Sequence, residues 1–369
     1  MIYLDSAATS FQKPREVIQA YEQTLLHAAS PGRGAYAPAA RATQAMLAAR
    51  EEACKLFSFP DPERVVMTMN ATHALNLAIR SLAVPGKKAV ISGFEHNSVL
   101  RPLAASGMQV EVVGRTLFDD EANLRDFKAA IPGAALVVCT HVSNVFGYIL
   151  PVREIASLCA AQGVPFILDA SQSAGVLKLD CAEIPAAFIA MPGHKSLLGV
   201  PGSGLLLCSH ETKPLLCGGS GSNSIDLEMP NYLPDRLEAG TQNAPAAAAL
   251  AAGMRFIRRK GREKIELHET ELCAHMIELL KKRKSLQLFY DPVGKQSGVL
   301  SFRSADRDCE EIAAYLAEEQ ICVRAGLHCS PLSHESAGSL DTGTVRISFS
   351  PFNTHREVEI TAAKLKNFS

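Results

Sequence analysis

The sequence predicts an α/β protein organised on a mostly parallel sheet, and three observations carry that reading. From about residue 15 to 245, short apolar runs alternate with segments of helical periodicity, the order that βαβ units produce. The runs are nearly continuous in apolar residues, as strands covered on both faces require. Four of them lead into a polar cluster: Glu95-His96-Asn97, His141-Val-Ser-Asn144, Asp169-Ala-Ser-Gln172 and Gly193-His194-Lys195-Ser196. Ligands of open parallel sheets sit outside the carboxyl ends of the strands, so the four clusters are expected to meet at one site.

In chain order, helices are expected over Arg15 to Ala28, the Ala-rich Arg41 to Phe57, and Thr72 to Leu82. In the last of these Ala74, Leu75, Ala78, Ile79 and Leu82 form one stripe. Strands are expected at Val65 to Thr68, Lys88 to Ser92, Ala135 to Thr140, Pro165 to Asp169, Ala187 to Met191 and Gly204 to Cys208. Beyond residue 245 the pattern changes to one long charged helix, Ala246 to Arg283. Strand-like pieces follow at Gly298 to Phe302 and Gly343 to Phe349. A large domain over 15–245 and a smaller α+β domain made of 1–14 and 246–369 are the natural division, with the long helix bridging them.

Composition excludes several classes of function. Hydrophobic residues make up 47% and charged residues 20% of the 369, the balance of a globular protein. A formal charge of −1 supplies no basic field for nucleic acid or an anionic membrane. No apolar run is long enough to span a bilayer, and the start, Met1-Ile-Tyr-Leu-Asp5, has no signal-peptide pattern, so a cytoplasmic location is expected. The ten cysteines are spread singly with no Cys-x-x-Cys pair, which disfavours a zinc ribbon or a thioredoxin-type site.

Lys195 follows an apolar strand and precedes Gly199-Val-Pro-Gly-Ser-Gly204, whose backbone would let a bulky ligand approach closely. A strand-end lysine is more often a solvated charge. Asp169, at the end of the preceding strand, shifts that balance: a carboxylate there could pair with the protonated ring nitrogen of a cofactor held by the lysine. Its plainer use is as a helix N-cap. Cys329 lies in Arg324-Ala-Gly-Leu-His-Cys-Ser-Pro331, a glycine-containing turn where His328 and Arg324 would favour thiolate. Arg346, flanked by Val345 and Ile347 on a strand, needs an anionic partner. A substrate carboxylate gripped by its fork and a structural ion pair both satisfy that need.

The order Tyr3-Leu-Asp-Ser-Ala-Ala-Thr9, Asn70-Ala-Thr-His-Ala-Leu-Asn76, Glu95-His96, His141-Val-Ser-Asn-Val-Phe-Gly147, Asp169-Ala-Ser-Gln172, Gly193-His-Lys195, Arg236-Leu-Glu-Ala-Gly-Thr-Gln-Asn243, Arg324-Ala-Gly-Leu-His-Cys329 and Val345-Arg-Ile-Ser348 resembles the cysteine desulfurase and selenocysteine lyase group of the class V aminotransferase family. The resemblance covers nearly the whole chain. It implies a fold-type I enzyme dependent on pyridoxal 5′-phosphate (PLP), with a mostly parallel, seven-stranded sheet flanked by helices in the large domain and a smaller C-terminal α+β part.

Position by position, the resemblance implies that Lys195 holds the cofactor and that Asp169 faces its ring nitrogen. His96 would stack on the ring and serve in proton transfer, with Asn144 and Gln172 near the phenolic oxygen. The phosphate would meet Thr72 at a helix N-terminus, where free N–H groups and the dipole favour an anion, together with His194. Ala71 and Pro192 depart from the hydroxyl-bearing residues many relatives place in that cup, and Pro192 also lacks an N–H donor. Thr241 would reach the phosphate of a neighbouring subunit, implying a homodimer with sites at its interface. Arg346, with Asn144 and Arg324, would bind an amino-acid substrate. Cys329 would take sulfur from L-cysteine as a persulfide and pass it to an acceptor protein.

Arg346 lies seventeen positions after Cys329, which fits relatives with a short loop after the cysteine; Leu327 replaces a histidine common among them. The alternatives within the fold are selenocysteine lyase or another class V lyase or aminotransferase. The alternative from a different class is a non-catalytic PLP-binding scaffold, against which stand the intact Lys195, Asp169, Cys329 and Arg346.

Overall fold

The structure, a computed structural model, describes residues 1–32, 34–222 and 224–367. Its elements run in the order β1 (Ile2–Tyr3), α1 (Arg15–His27), α2 (Ala37–Phe57), β2 (Val65–Thr68), α3 (Ala71–Leu82), β3 (Lys88–Ser92), α4 (Asn97–Ala105), β4 (Gln109–Val113), α5 (Asp120–Ala130), β5 (Leu136–Thr140), α6 (Val152–Ala161), β6 (Phe166–Asp169), β7 (Phe188–Pro192) and β8 (Gly204–Cys208). There follow α7 (Ala244–Lys260), α8 (Arg262–Leu280), β9 (Leu286–Phe289), β10 (Val299–Ser304), α9 (Cys309–Glu318), β11 (Ile321–Cys322), β12 (Arg324–Gly326), α10 (Pro331–Ala337), β13 (Thr344–Ser348) and α11 (His355–Asn367).

Seven strands form one sheet in the order β2-β8-β7-β6-β5-β3-β4, and only β8 runs against the others. Every residue of β2, β5, β6, β7 and β8 is buried, which is why these strands read as continuous apolar runs. Edge strand β4, Gln109-Val-Glu-Val-Val113, has its first three residues exposed and alternates polar with apolar residues; it was not foreseen. Two apolar layers sandwich the sheet: one includes Phe57, Val137, Leu168 and Leu250, the other Leu75, Ile91, Ile167 and Leu206.

The four-stranded antiparallel sheet β12-β13-β10-β9 has its own core around Leu272, Leu300, Phe302 and Ile347. Leu4 joins this core, and β1 pairs with β11, so the N-terminal segment travels with the C-terminal part. The single long helix expected over 246–283 is two. Gly261, at φ +89°, ends α7 and opens α8, a conformation residues with a Cβ rarely adopt. Ala247, Leu250 and Met254 of α7 pack into the large sheet's core, whereas Leu272 and Met276 of α8 pack into the smaller one. α2 starts four residues before the expected Arg41, with Pro38 in its first turn, a position where the missing N–H costs nothing.

Candidate active site

The sheet's register brings the polar clusters together. Thr140, Asp169 and Ala190 lie side by side at the carboxyl ends of β5, β6 and β7, and the chain continues from β7 to Lys195 within five residues. A cavity of about 210 Å³ there is lined by Thr72, His96, Asn144, Asp169, Gln172, His194, Lys195, Arg324, Cys329 and Arg346, with Ala71 and Pro192. A larger groove, about 670 Å³ between α1, α2 and α7, brings together no comparable set. Thr241 lies outside the cavity, in a separate pocket with Asn70 and His73.

Two of the glycines after Lys195, Gly199 and Gly204, serve the chain's own packing rather than a ligand's approach. A Cβ on Gly199 would stand 2.9 Å from Gly193 O, and one on Gly204 would stand 2.7 Å from Thr68 Oγ1. Lys195 is half-buried, and desolvation of its amine lowers its pKa from 10.5 to about 8, while Asp169 pulls in the opposite direction. The main-chain carbonyl of His194 accepts from Ser10 N at 3.0 Å, Ser10 Oγ at 2.9 Å and Thr9 Oγ1 at 3.1 Å. An N-terminal strap therefore holds the peptide that carries the lysine.

Asp169 Oδ1 accepts from Ser171 N at 2.9 Å, a turn-type bond that keeps the carboxylate at the strand end. His96 caps α4, and its Nδ1 accepts from Ser98 N at 3.0 Å. That bond puts the ring proton on Nε2. Burial, then the charge of Lys195, lowers the His96 pKa to about 4, so the ring is neutral at ordinary pH. His194 is likewise lowered to about 4, by burial first, and its Nδ1 lies 3.1 Å from Thr9 Oγ1.

Asn70 caps α3 by accepting from His73 N, and the N–H groups of Ala71 and Thr72 precede the helix's first internal bond. Ser98, a residue sequence reasoning missed, places its Oγ 2.7 Å from Thr72 Oγ1. It thus brings a second hydroxyl to the cup that Ala71 and Pro192 leave short. Its only signal was its place two residues past His96. The amides of Gln172 and Asn144 are both engaged: Gln172 Nε2 donates to Ala7 O at 3.0 Å and Asn144 Nδ2 to His328 O at 2.9 Å.

The turn bearing Cys329 is pinned on several sides. Asn97 N donates to Cys329 O at 2.9 Å, Ser330 Oγ to Glu95 O at 2.8 Å, and Asn144 to His328 as above. His328 and Cys329 both have positive φ, +50° and +58°, a conformation costing roughly 1–3 kcal/mol per non-glycine residue that surrounding bonds must hold. Cys329 itself is exposed. The expectation that His328 favours a thiolate fails. Its ring is buried, Nε2 lies 3.2 Å from Thr344 O, and burial together with Arg346 and other cations lowers its pKa to about 2, so it carries no charge.

Arg346 meets the structural alternative left open by the sequence. Its Nη2 donates to Asp5 Oδ1 at 2.7 Å and its Nη1 to Asn144 O at 2.9 Å. Among the described residues its Nε–H is buried without a partner, an unmet donor that an incoming carboxylate would satisfy.

Two buried carboxyls, Glu95 beside the site and Glu269 on α8, contribute to the pH dependence of stability. Burial raises Glu95 and Glu269 from 4.5 to about 8 each. The native chain therefore keeps two protons there that the unfolded chain has released. Below about pH 6.5 the buried histidines, His96, His194 and His328 among them, act in the opposite sense because only the unfolded chain protonates them, so the net fall in stability lies between about pH 6.5 and 8. Lys195, shifted the other way, acts only above about pH 8. Denaturant midpoints are expected to decline across that interval, and Glu95→Gln with Glu269→Gln to flatten the decline. An equally steep decline in the double variant would refute this.

A desolvated amine facing a carboxylate at the ends of a parallel sheet, beside a helix N-terminus with paired hydroxyls, suits a cofactor with a carbonyl, a basic ring nitrogen and a phosphate. The fold and site thus define an α/β enzyme of carbonyl-cofactor chemistry. The sequence profile of the aminotransferase class-V family matches residues 2–360, and the chain belongs to that family, whose enzymes depend on PLP. A probable cysteine desulfurase from Pyrococcus abyssi is 33% identical over 97% of this chain and 92% of its own. Another, from Methanothermobacter thermautotrophicus, is 31% identical over 100% of this chain and 94% of its own. Among solved structures, the apo cysteine desulfurase of Thermococcus onnurineus NA1 superimposes with a TM-score of 0.93 at 31% identity, covering 100% of this chain and 94% of that one. The cysteine desulfurase CsdA of Escherichia coli gives 0.88 at 27% identity, covering 99% and 94%.

Proposed function

We propose that this chain is a PLP-dependent cysteine desulfurase, converting L-cysteine to L-alanine and carrying the sulfur on Cys329. One observation carries the reading: Lys195 and Asp169 share a cavity with an exposed cysteine held on a rigid turn. Lys195 would hold the cofactor, Asp169 its ring nitrogen, and Thr72, Ser98, His194 and the first turn of α3 its phosphate. Once bound, the cofactor supplies an electron sink that makes the substrate's α-proton removable.

The chain's own residues do the rest. Arg346 orients the substrate through its α-carboxylate. Lys195, its pKa held near 8, is a base in part neutral near that pH and can take the α-proton. His96, neutral with its proton on Nε2, is placed to donate one. The thiolate of Cys329 attacks the substrate sulfur; the S–S bond forms as the substrate's C–S bond breaks, its electron pair takes up a proton, and alanine leaves. The pinned turn limits how far Cys329 can travel, so sulfur is handed to an acceptor that comes to the surface.

The proposal extends to a homodimer in which Thr241 serves the partner's site, to the division into 15–245 and 1–14 with 246–369, and to a cytoplasmic location. No described helix is long and apolar enough to cross a membrane. The test is product analysis of the holoenzyme with L-cysteine, L-selenocysteine and other amino acids. Alanine from L-cysteine, with sulfide under reducing conditions, is expected. Pyruvate or a keto acid in its place, or alanine from L-selenocysteine alone, would move the chain to another class V activity.

A further inference from the structure

Asp5 has been assigned no part in the chemistry, yet it holds the side chain on which substrate orientation depends. It lies on the N-terminal strap, where its backbone bridges to Ser348 on β13. Two residues on, Ala7 N donates nothing to solvent but to Ser348 Oγ at 2.9 Å, and Ala7 O accepts from Gln172. The strap thus joins the small sheet to the cofactor cavity, which Ala7 and Ala8 help to line.

Arg346 and Arg324 stand directly opposite each other on β13 and β12. Like charges so placed destabilise a sheet unless an anion intervenes. Asp5 is the carboxylate that bonds Arg346, whose side chain is only 2% exposed. An arginine anchored once can rotate about that bond. Anchored at Nη2 by Asp5 and at Nη1 by Asn144 O, its plane is fixed and its unpartnered Nε–H remains for a ligand.

Resting on the reading of Arg346 as the carboxylate clamp, we propose that Asp5 is a positioning residue that sets the plane of the Arg346 guanidinium and so confers selectivity for amines bearing an α-carboxylate. The repulsion between Asp5 and an incoming carboxylate acts in the opposite sense, but the Asp5 charge is already compensated by a 2.7 Å pair.

The experiment compares holoenzyme carrying Asp5→Asn, Asp5→Glu or Arg346→Ala. It reads KM and kcat for L-cysteine, and the Kd of cysteamine, which lacks the carboxylate, from the visible spectrum. A charge-assisted bond of this kind corresponds to roughly a tenfold affinity change. Asp5→Asn is expected to raise the L-cysteine KM about tenfold while kcat and the cysteamine Kd stay within about threefold. If Asp5→Asn does not fold, Asp5→Glu keeps the charge, displaces the guanidinium by a methylene and is expected to show the same selective loss. An unchanged or lowered L-cysteine KM in a folded Asp5 variant, or cysteamine weakened in equal proportion, overturns the proposal. If Arg346→Ala also leaves KM unchanged, the clamp reading has failed instead; if only Arg346→Ala raises it, the fault lies with Asp5 alone.

Discussion

Lys195→Ala is expected to remove the visible absorbance of the bound cofactor and to lower kcat/KM for L-cysteine by at least about 10³-fold, within the range found for deleting a positioned acid–base group. The loss is large because one side chain does two tasks. Lys195 is the amine that would hold the cofactor, and it is the base whose desolvation lowers its pKa to about 8. His96 is neutral and its Nδ1 already accepts from Ser98, so it offers no replacement base. The fold should survive: removing the amine relieves its desolvation, and Asp169, though it loses that neighbouring charge, keeps its bond from Ser171 N. A Lys195→Ala protein that stays yellow and turns over normally would refute the assignment.

Cys329→Ser is expected to keep the absorbance and lose sulfur transfer by at least about 10²-fold, because a serine hydroxyl is scarcely ionised where a thiol has a reactive anionic form. The substitution changes one atom on a turn held through main-chain and neighbouring bonds: Asn97 to Cys329 O, Asn144 to His328 O and Ser330 Oγ to Glu95 O. None of these uses Sγ, so neither the turn nor the cavity should shift. Wild-type desulfuration by Cys329→Ser would transfer the role to another residue. A variant active on L-selenocysteine but not on L-cysteine would instead identify the activity as one that needs the thiol for only one substrate.

The parts legible in the sequence were those where burial and chemistry coincide. Strands β2, β3 and β8 fell where expected because a strand buried on both faces cannot hide its apolar run. The clusters at the ends of β3, β5, β6 and β7 pointed to one cavity because parallel strands deliver their ends to the same edge. The rest depended on contacts distant in sequence. The break at Gly261 is a single positive φ inside a pattern that otherwise reads as continuous helix. Asp5 and Arg346 are 341 positions apart and meet only because β1 and the strap run with the small sheet. His328 reads in sequence as a cation beside a thiol, and its burial, with Arg346 nearby, makes it neutral.

The central claim, that sulfur passes to Cys329 within this cavity, is tested most directly by mass spectrometry of the Cys329 peptide. Holoenzyme is incubated with L-cysteine in the absence of reductant and acceptor, and alanine is counted in parallel. The account predicts a gain of one sulfur atom on Cys329, matched by one alanine per site in the first turnover. Alanine release with Cys329 unmodified, or the added sulfur on another cysteine, would contradict it.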